Sequence, residues 1–194
     1  MRVPYSQLKR TSSIPTGIVT TADMKKFLRV THSEEDTFID SLIQAAMLHL
    51  EQWTGRSFLT QTWEVTFDSL PSSSMIWLPR SNVLTVTSVK YLDGDLVEQT
   101  LATANYNVVT GPQGGIYIRE LPTTGTHPEA FKVTYTAGFG ATASDVPDDI
   151  LTTIKMIVEQ FYKNRDGMTS DGQLGTKIPD WILLLASDHK LQVI

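Results

Sequence analysis

The apolar period of this chain changes twice, and that order limits the folds open to it. Phe38, Ile39, Leu42, Ile43, Ala46, Leu50 and Trp53 recur at intervals of three and four, the period of a helix with one buried face. Ser33 opens this helix. Glu34, Glu35 and Asp36 fill its first turn, where carboxylates meet the positive end of the helix dipole, and Gly55 supplies a left-handed cap at its end. From Gln61 to Thr136 the period drops to two. Trp63, Val65 and Phe67 alternate with polar residues, and so do Phe131, Val133 and Tyr135. The helical period then returns in Ile150, Leu151, Ile154, Ile157, Val158, Phe161 and Tyr162. Neither stripe can be buried alone, and each is the obvious partner of the other.

Shorter signals fill in the order. Thr20 with Asp23 starts a short helix that carries Met24, Phe27 and Leu28 on one face and stops near Val30. Further strands are predicted over residues 75–78, 83–91, 96–101, 106–109 and 116–118, with turns at Asp93-Gly94 and across Gly111 to Gly115. Connections this short imply antiparallel pairing, because parallel pairs need long crossovers. Pro147 suits the first position of the third helix, with Ser144 or Asp145 as its cap and Asp148 and Asp149 in its first turn. Residues 166–177 form a glycine-rich loop, and Pro179 starts a last helix through residues 181–186.

The predicted fold class is therefore α+β: an antiparallel helical bundle of two N-terminal and two C-terminal helices, with an inserted antiparallel β-sheet domain. Residues 1–19 make an extended N-terminal arm, 20–57 and 146–189 the bundle, 58–140 the β domain and 190–194 a C-terminal tail. The helical core is assigned to Phe38, Leu42, Ile43, Trp53, Ile154, Ile157 and Phe161. Pro4 and Pro15 leave the arm open to two readings, a disordered tail or an arm that docks on a neighbour.

Composition removes whole classes of chemistry. The 194 residues are 41% apolar, enough for a real core, and contain no cysteine. That excludes a disulfide framework, thiol catalysis and cysteine zinc sites, and it fits a reducing compartment. Sixteen Lys and Arg against twenty-one Asp and Glu give a net charge of −5 with no basic run, a poor composition for gripping phosphates. His32, His49, His127 and His189 have no metal-ligand spacing, and Gly111 to Gly115 lacks both the dinucleotide spacing and a following helix. Asp145, Asp148 and Asp149 read as helix-end carboxylates rather than a cation site, and Trp53, Trp63, Trp77 and Trp181 as packing residues rather than a sugar platform. No catalytic, cofactor-binding or metal-ligating residue is assigned. The longest apolar run, residues 181–186, is far too short to span a membrane, and residues 1–17 have no signal-peptide core. The expectation is a soluble protein made inside the cell. Leu191, Val193 and Ile194 end the chain as a β-prone apolar segment, which either adds a strand to another protein or folds back on its own domain.

Several segments resemble one family. Residues 20–30, from Thr20 through Phe27-Leu28-Arg29-Val30, look like the opening helix of the head–tail connector (adaptor) proteins of long-tailed bacteriophages, in the variant with a β-rich insertion. Glu34-Glu35-Asp36-Thr37-Phe38-Ile39 is similar to the acidic start of that family's second helix, and Thr54-Gly55-Arg56 to its exit. Tyr135-Thr136-Ala137-Gly138-Phe139-Gly140, then Val146-Pro147 and Ile150, resemble the junction into its third helix. Tyr162 and Arg165 resemble that helix's end. The resemblance runs in order from Thr20 to Ile194, and the sequence departs from it in the N-terminal arm and at residues 187–194, where the family often carries more basic residues.

The resemblance implies a structural, non-enzymatic protein of the virion, assembled in the host cytoplasm. It implies a ring of twelve copies beneath the portal that joins the DNA-filled head to the tail. Genomic DNA would pass through the ring without specific binding, and a downstream neck or tail-terminator protein would bind its far side. No cofactor and no membrane are implied. Portal contact falls to Trp181, Leu184, Lys190, Leu191, Gln192, Val193 and Ile194. Two other readings stay open: another neck or tail-completion module, and, more remotely, an intracellular enzyme with an unrecognised site.

Overall fold

The computed structural model describes residues 5–69, 74–80, 82–120, 122–124, 127–165 and 178–191. The glycine-rich loop expected at 166–177 and the terminal Gln192, Val193 and Ile194 lie outside the described residues. The chain divides into two compact units, one of residues 15–54 and 140–190, the other of residues 1–14, 55–139 and 191–194.

The first unit is helical: α1 (Thr21–Leu28), α2 (Asp36–Thr54), α3 (Asp148–Lys163) and α4 (Asp180–Leu184). Thr20 caps α1 by accepting the Asp23 N–H at 3.1 Å, and Arg29 closes it in the left-handed region at φ 60°. α2 and α3 pack against each other, as the two stripes require. The buried face of α2 is Ile39, Ile43, Ala46, Met47 and Leu50; that of α3 is Ile150, Ile154, Ile157 and Val158.

Three expectations need correction here. Phe38 is not core: it is 37% exposed, because a face centred on Ile39 and Ile43 turns the preceding residue about 100° toward solvent. Leu42, Trp53 and Phe161 flank the core half-buried. Helix α2 begins at Asp36 rather than Ser33, whose carbonyl accepts the Asp36 N–H at 3.2 Å in a preceding turn. Asp145 does not cap α3. Its carboxylate accepts the Thr142 N–H at 2.9 Å and closes a capping box on a single 3₁₀ turn, leaving Pro147 as the α3 N-cap.

The second unit is antiparallel β: β1 (Gln7–Arg10), β2 (Gln61–Phe67), β3 (Met75–Trp77), β4 (Val83–Leu92), β5 (Glu98–Thr100), β6 (Tyr106–Val109), β7 (Gly115–Ile118) and β8 (Phe131–Ala137). Where one sheet was expected there are two, a five-stranded sheet in the order β1-β2-β8-β4-β5 and a three-stranded sheet in the order β3-β7-β6. The last strand inserts between β2 and β4, placing Trp63 opposite Tyr135, Val65 opposite Val133 and Phe67 opposite Phe131. A 3₁₀ turn at Thr103–Asn105 redirects the chain after β5, and the second hairpin pairs with β3 instead. Within the region read as an N-terminal arm, Gln7–Arg10 is the edge strand of the larger sheet. Val65, Phe67, Ile76, Val89, Ile116, Ile118, Phe131 and Tyr135 fill the core of this unit.

Candidate functional site

Helix α4 presents its apolar residues outward. Pro179 sets its start, and Ile182 and Ala186 are buried as its anchors. Trp181, Leu184 and Leu185, spaced three and four apart, are 60%, 65% and 42% exposed. Such a stripe normally faces a core. His189 Nε2 lies 2.8 Å from Asp149 Oδ2 and ties the segment after α4 to α3. Of the residues assigned to portal contact, Trp181 and Leu184 therefore share one exposed surface. Lys190, which is exposed, and Leu191 each also make a contact within the chain. The Lys190 ammonium sits 4.5 Å from the Trp53 ring centre, and Leu191 covers Gly55, with its Cδ1 3.3 Å from where a Cβ would stand.

The polar residues that carried the family resemblance converge as internal ties. Arg165 Nη2 is 2.7 Å from Glu35 Oε1, and the Tyr162 hydroxyl donates to the other oxygen of the same carboxylate. The Arg165 guanidinium also lies 4.7 Å from the Phe38 ring centre and 4.4 Å from that of Tyr162. The Tyr162 hydrogen bond first, and Arg165 second, hold the Glu35 carboxyl below its usual range, while the same carboxylate raises Tyr162. In the sequence the acidic helix start and the Tyr-x-x-Arg end stand far apart, with no local link between them. The signal that joins them is their opposite charge at matching ends of two helices of similar length.

Two further ties lie in the β unit. Buried Arg56 donates to Asn82 Oδ1 at 3.0 Å and to the Pro112 carbonyl at 2.9 Å. Gly138, at φ 152°, lets the chain pass Leu59 where a Cβ would stand 2.7 Å from its carbonyl. A cavity of about 260 Å³ between residues 15–21 and α2 is smaller than most small-molecule sites, which run from about 300 to 1,000 Å³. Among the described residues no group of three His, Cys, Asp or Glu is placed to hold a metal, and no helix is long and apolar enough to cross a membrane.

No curated protein matches the chain. Among the solved structures that share its fold are three from gene transfer agent particles. A chain from the neck of an empty gene transfer agent (GTA) particle, computed with C6 symmetry, is 23% identical over 97% of both chains with a TM-score of 0.79. A chain from the virion of a native GTA particle is 22% identical over 96% of this chain and 97% of its own, at 0.78. A chain from the neck of a native GTA particle, computed with C12 symmetry, is 21% identical over 97% of both chains, at 0.74. The head completion protein family model matches residues 17–179. With most of its length inside that match, the chain belongs to the head completion protein family and is a structural head–tail connector protein.

Proposed function

We propose that twelve copies of this chain form a ring beneath the portal, joining the DNA-filled head to the tail and extending the DNA channel. The observation that carries this reading is the likeness, over 97% of both chains, to a chain from a particle neck computed with C12 symmetry. Charge supports it. Twelve copies at −5 each put about −60 on the ring, and an acidic channel lets DNA pass without adhering. In this reading the helical unit is a bundle and the β unit an insertion within it, with limits near residues 58 and 140. Portal is met by Trp181 and Leu184, followed by the tail from Lys190 and Leu191 through Gln192, Val193 and Ile194. The exposed α4 stripe supports that surface, because adjoining large apolar side chains left in water are a common mark of a partner site. The far side of the ring receives the next neck or tail-terminator protein.

The test is the mass and symmetry of neck complexes purified from particles and probed by native mass spectrometry and electron microscopy. A ring of twelve 21.6 kDa chains seated on portal is expected. A single copy, or a dimer, on portal-bearing heads would overturn the reading.

A further inference from the structure

We propose that neighbouring copies in this ring meet edge to edge through their β units, the acidic β5 edge of one copy against the basic β1 edge of the next. This inference rests on the ring reading above and names the contact that closes it. A closed ring needs a heterologous interface, in which one surface of a copy meets a different surface of its neighbour. The five-stranded sheet offers two such surfaces. Its order leaves β1 exposed at one edge and β5 at the other. All three β5 residues are exposed, and β1 alternates between exposed and half-buried positions.

The two edges carry opposite charge. β1 brings Arg10, which donates to Gln61 Oε1 at 3.1 Å and keeps its charge, and the exposed Lys9, which forms no ion pair with a described residue. The β5 side brings Glu98 and, in the turn before it, Asp93 and Asp95. Lys90 sits 2.7 Å from Glu98, and Lys132 also acts on that carboxylate, so these two cations offset part of the charge. Charged edge residues commonly protect a sheet from pairing with copies of itself, and charges of one sign on both edges would do so here. Opposite signs on opposite edges do the reverse, repelling like edges and attracting unlike ones.

Apolar residues flank the charges on both sides. Tyr5 and Ile14 are 47% and 38% exposed beside β1, and Leu96 and Val97 are 52% and 54% exposed before β5. The β5 side is also held in shape. Asp93 Oδ1 accepts the N–H groups of Asp95 and Val97 at 3.0 Å each, and its Oδ2 accepts Gln99 Nε2 at 2.8 Å. Leu96 stands at φ 60°, a conformation that disfavours a branched side chain, yet it keeps that side chain in water. A hairpin fixed this firmly around two exposed aliphatic residues is preorganised for a partner.

The test uses the chain's lack of cysteine. In a Lys9→Cys/Glu98→Cys variant the two thiols of one copy lie four strand spacings apart, about 19 Å, beyond the reach of an intramolecular disulfide. Mild oxidation of assembled necks should give a covalent ladder of oligomers, while either single variant gives none beyond a dimer. Separately, Lys9→Glu/Arg10→Glu should raise the concentration for ring formation about tenfold or more, since like charges brought together across an interface cost several kcal/mol. Adding Asp95→Lys/Glu98→Lys to that variant should restore assembly. Rings that form normally in the first charge variant, with no ladder in the cysteine variant, would overturn the edge contact and leave the ring itself standing. Absence of any ring from the unmodified chain on portal would overturn both.

Discussion

Replacing Ile154 with alanine tests the packing of α2 on α3 most directly. Ile154 is fully buried on the face that α3 turns toward its partner. The change deletes three carbon groups worth about 0.8 kcal/mol each in transfer free energy, so about 2.4 kcal/mol is lost before any cavity is counted. A cavity that the neighbours only partly fill brings the total to about 2–5 kcal/mol. For a chain of this length, each kcal/mol moves the melting temperature by about 2–4 °C, so a drop of about 4–20 °C is expected. Leu42 supplies the internal comparison. It lies half-buried beside the core, so Leu42→Ala should cost about half as much, because less of its area leaves water on folding. Phe38→Ala should cost less again in the core and act mainly through its contact with Arg165. Urea and thermal denaturation, followed by circular dichroism in the helical band, would rank the three variants. If Leu42→Ala or Phe38→Ala destabilised as much as Ile154→Ala, the buried face of α2 would be centred elsewhere and the packing argument would fail.

Three other predictions follow from single sites. The lowered folded pKa of Glu35 means that its contribution is present above the ordinary carboxylate range and is lost as pH falls through the folded value; Glu35→Gln should therefore reduce the acid sensitivity of urea midpoints compared between pH 7 and pH 3, and an unchanged pH slope would refute the tie. Gly138→Ala forces a Cβ to within 2.7 Å of Leu59 at a backbone angle that suits glycine, so a loss of about 1–3 kcal/mol is expected, whereas Gly94→Ala, with open space around it, should be close to neutral. Trp181→Ser/Leu184→Ser should leave the melting temperature within about 2 °C, since both side chains are already in water, yet strip tails from DNA-filled heads; normal particle yield would move the portal contact elsewhere.

What the sequence disclosed, and what it hid, divides along the range of the interactions. The α2 and α3 stripes were legible because a helix buries residues at fixed local spacing, and local spacing is what a single sequence displays. The β8 strand was legible as a strand but not as the neighbour of both β2 and β4, since that pairing joins Trp63 to Tyr135, far apart in the chain, with no local mark. Phe38 misled because apolar character alone does not separate a core residue from one lying under an arginine at a helix end. Asp145 misled because a carboxylate three residues before a helix can belong either to that helix's start or to the turn before it, and the reciprocal bond from Thr142 decides. The opposite charges of Lys9 and Glu98 were visible throughout. Only the strand order gives them meaning, by putting them on opposite edges of one sheet.

The residues that identify the family and the residues that would meet partners are different sets. Glu35, Tyr162 and Arg165 spend their hydrogen-bonding capacity on each other and Arg56 on Asn82 and Pro112, while Gly138 serves by lacking a side chain where the chain passes Leu59. Groups satisfied inside the chain have little left to offer another molecule, so these motifs preserve a shape. In the proposed ring, recognition would fall to what the shape leaves in water: the α4 stripe and the two edges of the larger sheet. Each of these surfaces is small, and alone each would bind weakly. The proposed ring would change that arithmetic, because every copy would repeat the same contacts at fixed spacing and the second contact would form at a high effective concentration once the first is made. Exposed charges at the edges would steer copies into register and lose strength as salt rises, since the screening length shrinks to about 8 Å at physiological ionic strength. The aliphatic residues beside them are not screened and would hold the closed ring together. Assembly that slows with salt while finished rings persist is the behaviour this division of labour requires.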